Sequence, residues 1–235
     1  MSPMRRSPCG GCHLEIHGQA VTARVSGALW LADERMLAAG DLHFEKGSAY
    51  GARGQLLPPF DTLATLDRLE AEIAALSPRR LVLMGDSFHD TGAIDRLTAE
   101  ARTRLRALGE RIELVWLAGN HDPSPPVGLP GAVAETLTIG TLNLTHEPHT
   151  GLGEGEVAGH LHPVATVKGT GGRVRRRCFL TDGRRMILPA FGAYAGGLNV
   201  FDPAFDGLFA TPPTALILGD DRIHAVPWTR LSPGR

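Results

Sequence analysis

Five short segments carry the residue types that metal-assisted phosphate chemistry needs. They are Gly40-Asp41-Leu42-His43, Gly85-Asp86-Ser87-Phe88-His89-Asp90, Gly119-Asn120-His121-Asp122, a lone His146 and Gly159-His160-Leu161-His162. Together they supply two carboxylates, one amide and several imidazoles. Such a set can hold two divalent cations side by side and clamp the attacking and leaving oxygens of an in-line displacement at phosphorus. With 10 histidines in the chain, one Asp-x-His would be unremarkable. The ordered set, each member falling just after an expected strand, is far more specific than any fragment.

The expected sharing puts Asp41, His43, Asp86 and His162 on one ion, and Asp86, Asn120, His146 and His160 on the other. Asp86 bridges through its two oxygens. Two cations and two aspartates leave a net positive centre, which favours a bridging hydroxide and then an anionic ester. A metal pair lowers the pKa of bound water towards neutrality, so no separate strong base is needed. Oxygen and imidazole donors without thiolate suit Mn²⁺ first, with Fe or Zn²⁺ fitting the same set. His121 is the candidate general acid for the leaving oxygen, with Asp122 orienting its ring or tuning its pKa. His89 either reaches the phosphate or caps the following helix.

The elements that must position these residues are visible as hydrophobic patterns. Short apolar runs between residues 14 and 39 suggest strands and hairpins, the last leading into Asp41. Leu63, Leu66, Leu69, Ile73 and Leu76 predict a helix over 60–76, with Asp61 as its cap and Pro78 as its stop. Leu81 to Met84 and Ile112 to Leu117 read as buried strands running into Asp86 and Asn120. A helix between them starts near Thr91, places Ile94, Leu97, Ala101, Leu105 and Leu108 on one face, and ends at Gly109. The first half thus alternates strand, loop and helix, the pattern in which sites gather beyond the carboxyl ends of strands. The second half reads as short strands at 137–145, 156–158, 164–167, 174–180, 185–188 and 215–218. Turn signals stand at 169–172 and at Asp182-Gly183. The simplest architecture is α/β, two packed mixed sheets flanked by helices in a single domain over 1–235.

Composition excludes several classes. Hydrophobic content is 43%, charged content 21% and net charge −1, ordinary for a soluble globular chain. Lys46 and Lys168 are the only lysines. The arginine bias reflects either phosphate recognition or a GC-rich genome. Cys9 and Cys12 form a Cys-x-x-Cys before His13, but no second ligand pair completes a zinc site and Cys178 lies far away, so reduced thiols are expected. No apolar run reaches the roughly 18 residues of a membrane span, and none follows Arg5 and Arg6 as a signal peptide would, so a cytoplasmic protein is expected.

At this point the residues resemble the calcineurin-like metallophosphoesterases, with every ligand-type position filled between Asp41 and His162. The resemblance implies a four-layer α-β-β-α sandwich with a dinuclear centre. The Gly85-to-Asp90 segment looks like the loop of the SbcD-type nucleases, where a histidine stands in the place of His89. The runs Glu45-Lys46-Gly47, Arg53-Gly54-Gln55-Leu56-Leu57-Pro58-Pro59, Pro189-Ala190-Phe191-Gly192 and Gly196-Gly197-Leu198-Asn199 are similar to bacterial ligase-associated DNA-damage-response endonucleases of the PdeM type. That likeness implies a manganese-dependent phosphodiesterase acting on DNA in repair, single-stranded DNA foremost. It also implies functional association with an ATP-dependent DNA ligase, a helicase and an exonuclease.

Three features lean towards a nucleic-acid substrate. The chain has no room for a large cap domain. Lys46 and Arg53 follow the first metal loop and could hold flanking phosphates, the subgroup likeness favouring substrate contact for Arg53. Lys168, Arg173, Arg175, Arg176 and Arg177 load a hairpin after His162, either to neutralise backbone phosphates or as a solvated face that protects an edge. Aromatic content is only 6%, so no stacking platform for single strands is evident. A small-molecule phosphatase or nucleotide hydrolase on the same fold is the alternative. A non-catalytic scaffold is disfavoured because no ligand position is broken.

Overall fold

A computed structural model describes residues 4–55, 57–123, 126–151, 153–169 and 171–233. Leu56, named in one of the runs above, lies outside the described residues. Two mixed sheets pack face to face. The first has eight strands in sequence order across the sheet. Arg5–Arg6, Cys12–Ile16, Gln19–Ala23, Leu29–Leu31 and Met36–Ala39 pair antiparallel, and Arg80–Met84, Glu113–Leu117 and Ala132–Ala134 continue in parallel. The second runs from Ile223–Pro227 through Thr214–Leu218, Gly172–Thr181, Met186–Ile187, Glu156–Ala158 and Leu142–Thr145 to Thr136–Ile139. Val164–Gly169 pairs with the first half of the long Gly172–Thr181 strand.

The burial pattern explains these assignments. Cys12–Ile16 alternates buried and exposed, whereas Met36–Ala39 is buried at every position. A strand covered on both faces needs apolar residues throughout. One face of the first sheet (Leu14, Leu31, Met36, Val82, Val115) meets the second sheet (Leu142, Leu144, Val157, Phe179, Leu216) in the central core. Its other face (Leu37, Leu81, Leu83, Trp116) is covered by Leu66, Leu69, Leu105 and Leu108 of the helices Asp61–Leu76 and Ala99–Arg111. The outer face of the second sheet is closed by Val200, Phe205 and Leu208 around a short 3-10 turn, Pro203–Phe205. The fourth layer is therefore thin on that side.

Two local expectations need correction. The single helix from Thr91 to Gly109 is two, Ala93–Arg96 and Ala99–Arg111. Between them Thr98 adopts an extended conformation and its hydroxyl accepts from Ala101 N at 3.1 Å, capping the second helix while the apolar spacing runs on unbroken. Asp61 is not a cap of its own helix: its Oδ2 accepts from Gly47 N at 3.0 Å. Residues 46–52, whose sequence shows no helical periodicity, form a helix.

Arg185 is 1% exposed, its Nε 3.0 Å from Glu156 Oε1. Its two terminal nitrogens donate to the carbonyls of Leu208 (2.7 Å) and His149 (2.9 Å). Removing one partner of a buried ion pair leaves an uncompensated charge, typically at a cost of about 3–5 kcal/mol. Glu156→Ala is therefore expected to lower the urea midpoint by that much stability, read from equilibrium unfolding. A change below about 1 kcal/mol would show that the pair is not holding these loops.

Candidate metal centre

The parallel strands Met36–Ala39, Arg80–Met84 and Glu113–Leu117 deliver the Asp41, Asp86 and Asn120 loops. The parallel pair Leu142–Thr145 and Glu156–Ala158 of the other sheet delivers His146 and the 159–162 loop. The loops are stitched to one another rather than to solvent. Asp41 N donates to Gly85 O (3.1 Å), His43 N to Asp86 O (2.9 Å), Gly159 N to His146 O (2.9 Å), and Phe191 N and Gly192 N to Gly40 O (2.9 Å) and Asp41 O (3.0 Å).

Asp41, His43, Asp86, His160 and His162 all have positive φ, between 46° and 67°. Non-glycine residues hold this left-handed backbone at a cost, of order 1–3 kcal/mol each, only where the surroundings over-determine it. The cross-loop hydrogen bonds do so here, and the result is to turn each side chain back towards the seam between the sheets. Gly85 and Gly119 make the approach sterically possible. A Cβ on Gly85 would lie 2.4 Å from Cγ of His146, and one on Gly119 would lie 2.1 Å from Asp86 N.

Two donor groups result. Asp41, His43 and His162 form one, and Asp86, His146 and His160 the other. In the first, His162 Nε2 is 3.1 Å from Asp41 Oδ1 and 3.4 Å from His43 Nε2. In the second, His146 Nε2 lies 2.9 Å from Asn120 Oδ1, 3.2 Å from His160 Nδ1 and 3.4 Å from Asp86 Oδ1. Asp86 stands between them: Oδ1 faces the second group, while Oδ2 is 4.0 Å from His43 Nε2 in the first. Asp41 and Asp86 are both buried, at 0% and 2% exposure.

The donor chemistry fits cations. Nδ1 of His146 meets the Met84 carbonyl at 3.1 Å, which takes its proton and leaves a lone pair on Nε2. That lone pair faces the Asn120 oxygen and an Asp86 oxygen, acceptors all, so the point they share calls for positive charge. Burial, then the positive charges of His162, Lys46, His121 and His89, push His43 down to about 2. Burial and His146 likewise lower His160. These imidazoles stay neutral at physiological pH, the form that binds metal.

His121 donates its backbone N–H to Asp86 Oδ1 (2.9 Å), and its Nε2 is 3.9 Å from Asp86 Oδ2. Its Nδ1 meets the His89 carbonyl at 2.9 Å, so that carbonyl orients the ring. Asp122, expected to orient or tune His121, makes no hydrogen bond to that ring among the described residues. It turns inward instead, accepting from Phe88 N at 3.0 Å, and burial followed by the charge of Asp86 pushes its carboxyl up to about 6. The His89 ring stacks on His121 with centroids 5.6 Å apart. It does not cap the helix at Ala93, whose cap is Gly92. Lys46 is half-buried beside His43 and His89, and Arg53 is exposed at the end of the same helix. The arginine hairpin turns partly inward: Arg175 donates to Gly197 O, and Arg177 to Ala190 O and Gly192 O, bracing the strap that crosses the Asp41 loop. Reading the residue types alone missed the Met84 and His89 carbonyls, because backbone partners leave no residue-type signal.

Residues 34–185 match the family model for calcineurin-like phosphoesterases, and the chain belongs to that family, a phosphoric-ester hydrolase with two candidate metal groups. Its fold is similar to that of the nuclease MPE of Pseudomonas putida, with TM-score 0.70 at 24% identity, over 92% of this chain and 100% of that one. YfcE, a phosphoesterase from E. coli, gives TM-score 0.40 at 18% identity over 81% of this chain and 97% of that one. No curated protein matches the sequence significantly. No helix among the described residues is long and apolar enough to cross a membrane.

Proposed function

We propose that this chain is a metal-dependent phosphodiesterase that cuts DNA, single strands foremost, in repair, with Mn²⁺ as the preferred ion. The observation that carries the reading is the position of Asp86, one carboxylate oxygen turned towards each of two His/Asp groups. The similarity in fold to a protein described as a nuclease supports a nucleic-acid substrate. Asp41, His43, Asp86 and His162 would hold one ion, and Asp86, Asn120, His146 and His160 the other. Such a pair supplies Lewis acidity at the phosphoryl oxygens and lowers the pKa of bound water.

The remaining tasks fall to the chain. The Nδ1 of His121, fixed on the His89 carbonyl, leaves Nε2 free to carry a proton to the leaving oxygen. His89, stacked on His121, and Lys46 and Arg53 on the neighbouring helix line the approach for phosphates. Asp122, with its Oδ2 on Phe88 N, fixes the loop that carries His89 rather than acting on the ester.

The Mn²⁺ protein is expected to hydrolyse a chromogenic phosphodiester and single-stranded DNA in preference to a monoester. Robust monoester turnover without diester or DNA cleavage would favour a small-molecule phosphatase instead. His121→Ala is expected to retain its metal, measured by elemental analysis, while kcat falls about 10²- to 10⁴-fold. Metal loss in that variant would make His121 a ligand rather than the acid.

A further inference from the structure

The helix Lys46–Ala52 stands beside the metal centre, and its sequence, Lys-Gly-Ser-Ala-Tyr-Gly-Ala, is a poor helix former. It is held by its anchors. Asp61 Oδ2 takes the Gly47 N–H (3.0 Å), Thr62 Oγ1 takes the Glu45 N–H (2.8 Å), and Ser48 Oγ accepts from Arg96 Nε (3.0 Å). Gly47 and Ala49 are the buried residues of the helix, Gly47 lying against Asp61. Lys46 and Tyr50, four residues apart, therefore share another side, and Arg53 follows one further turn along. Neighbours at this spacing lie about 5–6 Å apart at Cβ.

That side looks towards the site. The Tyr50 ring lies against His89, with centroids 5.9 Å apart and planes inclined by 37°. His89 in turn stacks on His121 at 18°. Lys46 opens this short helix and Arg53 is its C-cap, so the two cations stand at its two ends with Tyr50 between them. Tyr50 is half-buried, and its hydroxyl has no hydrogen-bond partner among the described residues. An aromatic face between two cations, next to the reacting centre, matches one repeat of a nucleic-acid strand: phosphate, base, phosphate.

We propose that Lys46, Tyr50 and Arg53 form a nucleotide cradle, in which Tyr50 stacks on the base next to the scissile phosphate of a single strand. This rests on the phosphodiesterase reading above and adds a specificity residue to it. The base must leave its own stack to meet the ring, so the cradle selects single-stranded or frayed nucleic acid over intact duplex. It also supplies the aromatic platform that overall composition did not reveal.

The test compares cleavage of an oligothymidylate with that of a fully abasic strand of equal length, both by the Mn²⁺ enzyme. Loss of one base–aromatic stack is worth roughly 10- to 100-fold. The wild type is expected to prefer the base-bearing strand by that factor in kcat/KM. Tyr50→Leu should abolish the preference, and Tyr50→Phe should keep it, because stacking needs no hydroxyl. If Tyr50→Leu slowed both strands equally, Tyr50 would be only a strut for His89 and the proposal would fall. It would also fall if the wild type did not distinguish the strands. A wild type that cleaved neither strand but hydrolysed small esters would sink the nucleic-acid reading itself, an outcome distinct from both.

Discussion

Asp86→Asn is expected to bring hydrolysis of a phosphodiester down to background while leaving the protein folded. The amide keeps an oxygen that can accept from His121 N, now 2.9 Å away from the carboxylate, so the loop keeps that tether. What disappears is the charge that both donor groups share, since one Asp86 oxygen faces each. Loss of an outer hydrogen-bond partner alone costs a metal site about 10- to 100-fold in affinity or activity. Removing a carboxylate common to two ions should exceed that range. Without metal, stability should hold or rise, because a carboxylate only 2% exposed no longer has to be buried charged. Metal content and thermal unfolding, measured on the same preparation, check both halves. A variant that kept two ions per chain would show that the bridge lies elsewhere.

The second large effect concerns a residue with no chemistry of its own. Gly119→Ala would place a Cβ 2.1 Å from Asp86 N, 2.4 Å from Asp86 Oδ1 and 2.5 Å from Asp122 Oδ1. The nearest of these is backbone, which cannot rotate away, so the Asn120 loop and the Asp86 loop must separate. Misplacing a reacting group by about 1 Å can cost on the order of 10²-fold in rate. A loss of that size in kcat is expected, together with about 1–3 kcal/mol of stability from overpacking. Gly171→Ala, with nothing within 4 Å of its Cβ, is the matched control and should do neither. Equal activity of the two variants would mean that the approach of these loops does not matter to the reaction.

How much of this was readable in advance depends on what each residue's neighbours contribute. The helix Asp61–Leu76 and the strands Arg80–Met84 and Glu113–Leu117 could be read because core burial imposes its period on the sequence itself. The break at Thr98 was hidden, since Ile94, Leu97, Ala101 and Leu105 keep one spacing across it and only a hydroxyl on Ala101 N marks the new start. The helix Lys46–Ala52 was hidden for the opposite reason: its stability comes from Asp61, Thr62 and Arg96, all remote in sequence. The donor residues at the site were visible as types. The left-handed backbone of Asp41, His43, Asp86, His160 and His162 was not, because nothing in an Asp or His announces φ > 0. The glycine before Asp41, Asp86, Asn120 and His160 was the available trace, recording how closely the loops approach.

The hairpin arginines show how one pattern can serve two ends. Arg175 and Arg177 were read as phosphate contacts or a solvated face, yet both donate to carbonyls of the 190–197 strap. Through Phe191 and Gly192 that strap holds the backbone of Gly40 and Asp41. Their effect on catalysis is thus expected to run through the position of Asp41.

The most direct measurement is anomalous diffraction from crystals grown with Mn²⁺. Two peaks about 3.5–4 Å apart are expected, the usual spacing of a two-metal site. One should be bounded by Asp41, His43 and His162, the other by Asn120, His146 and His160, with Asp86 touching both. A single peak, or two that do not share Asp86, would contradict the bridged centre.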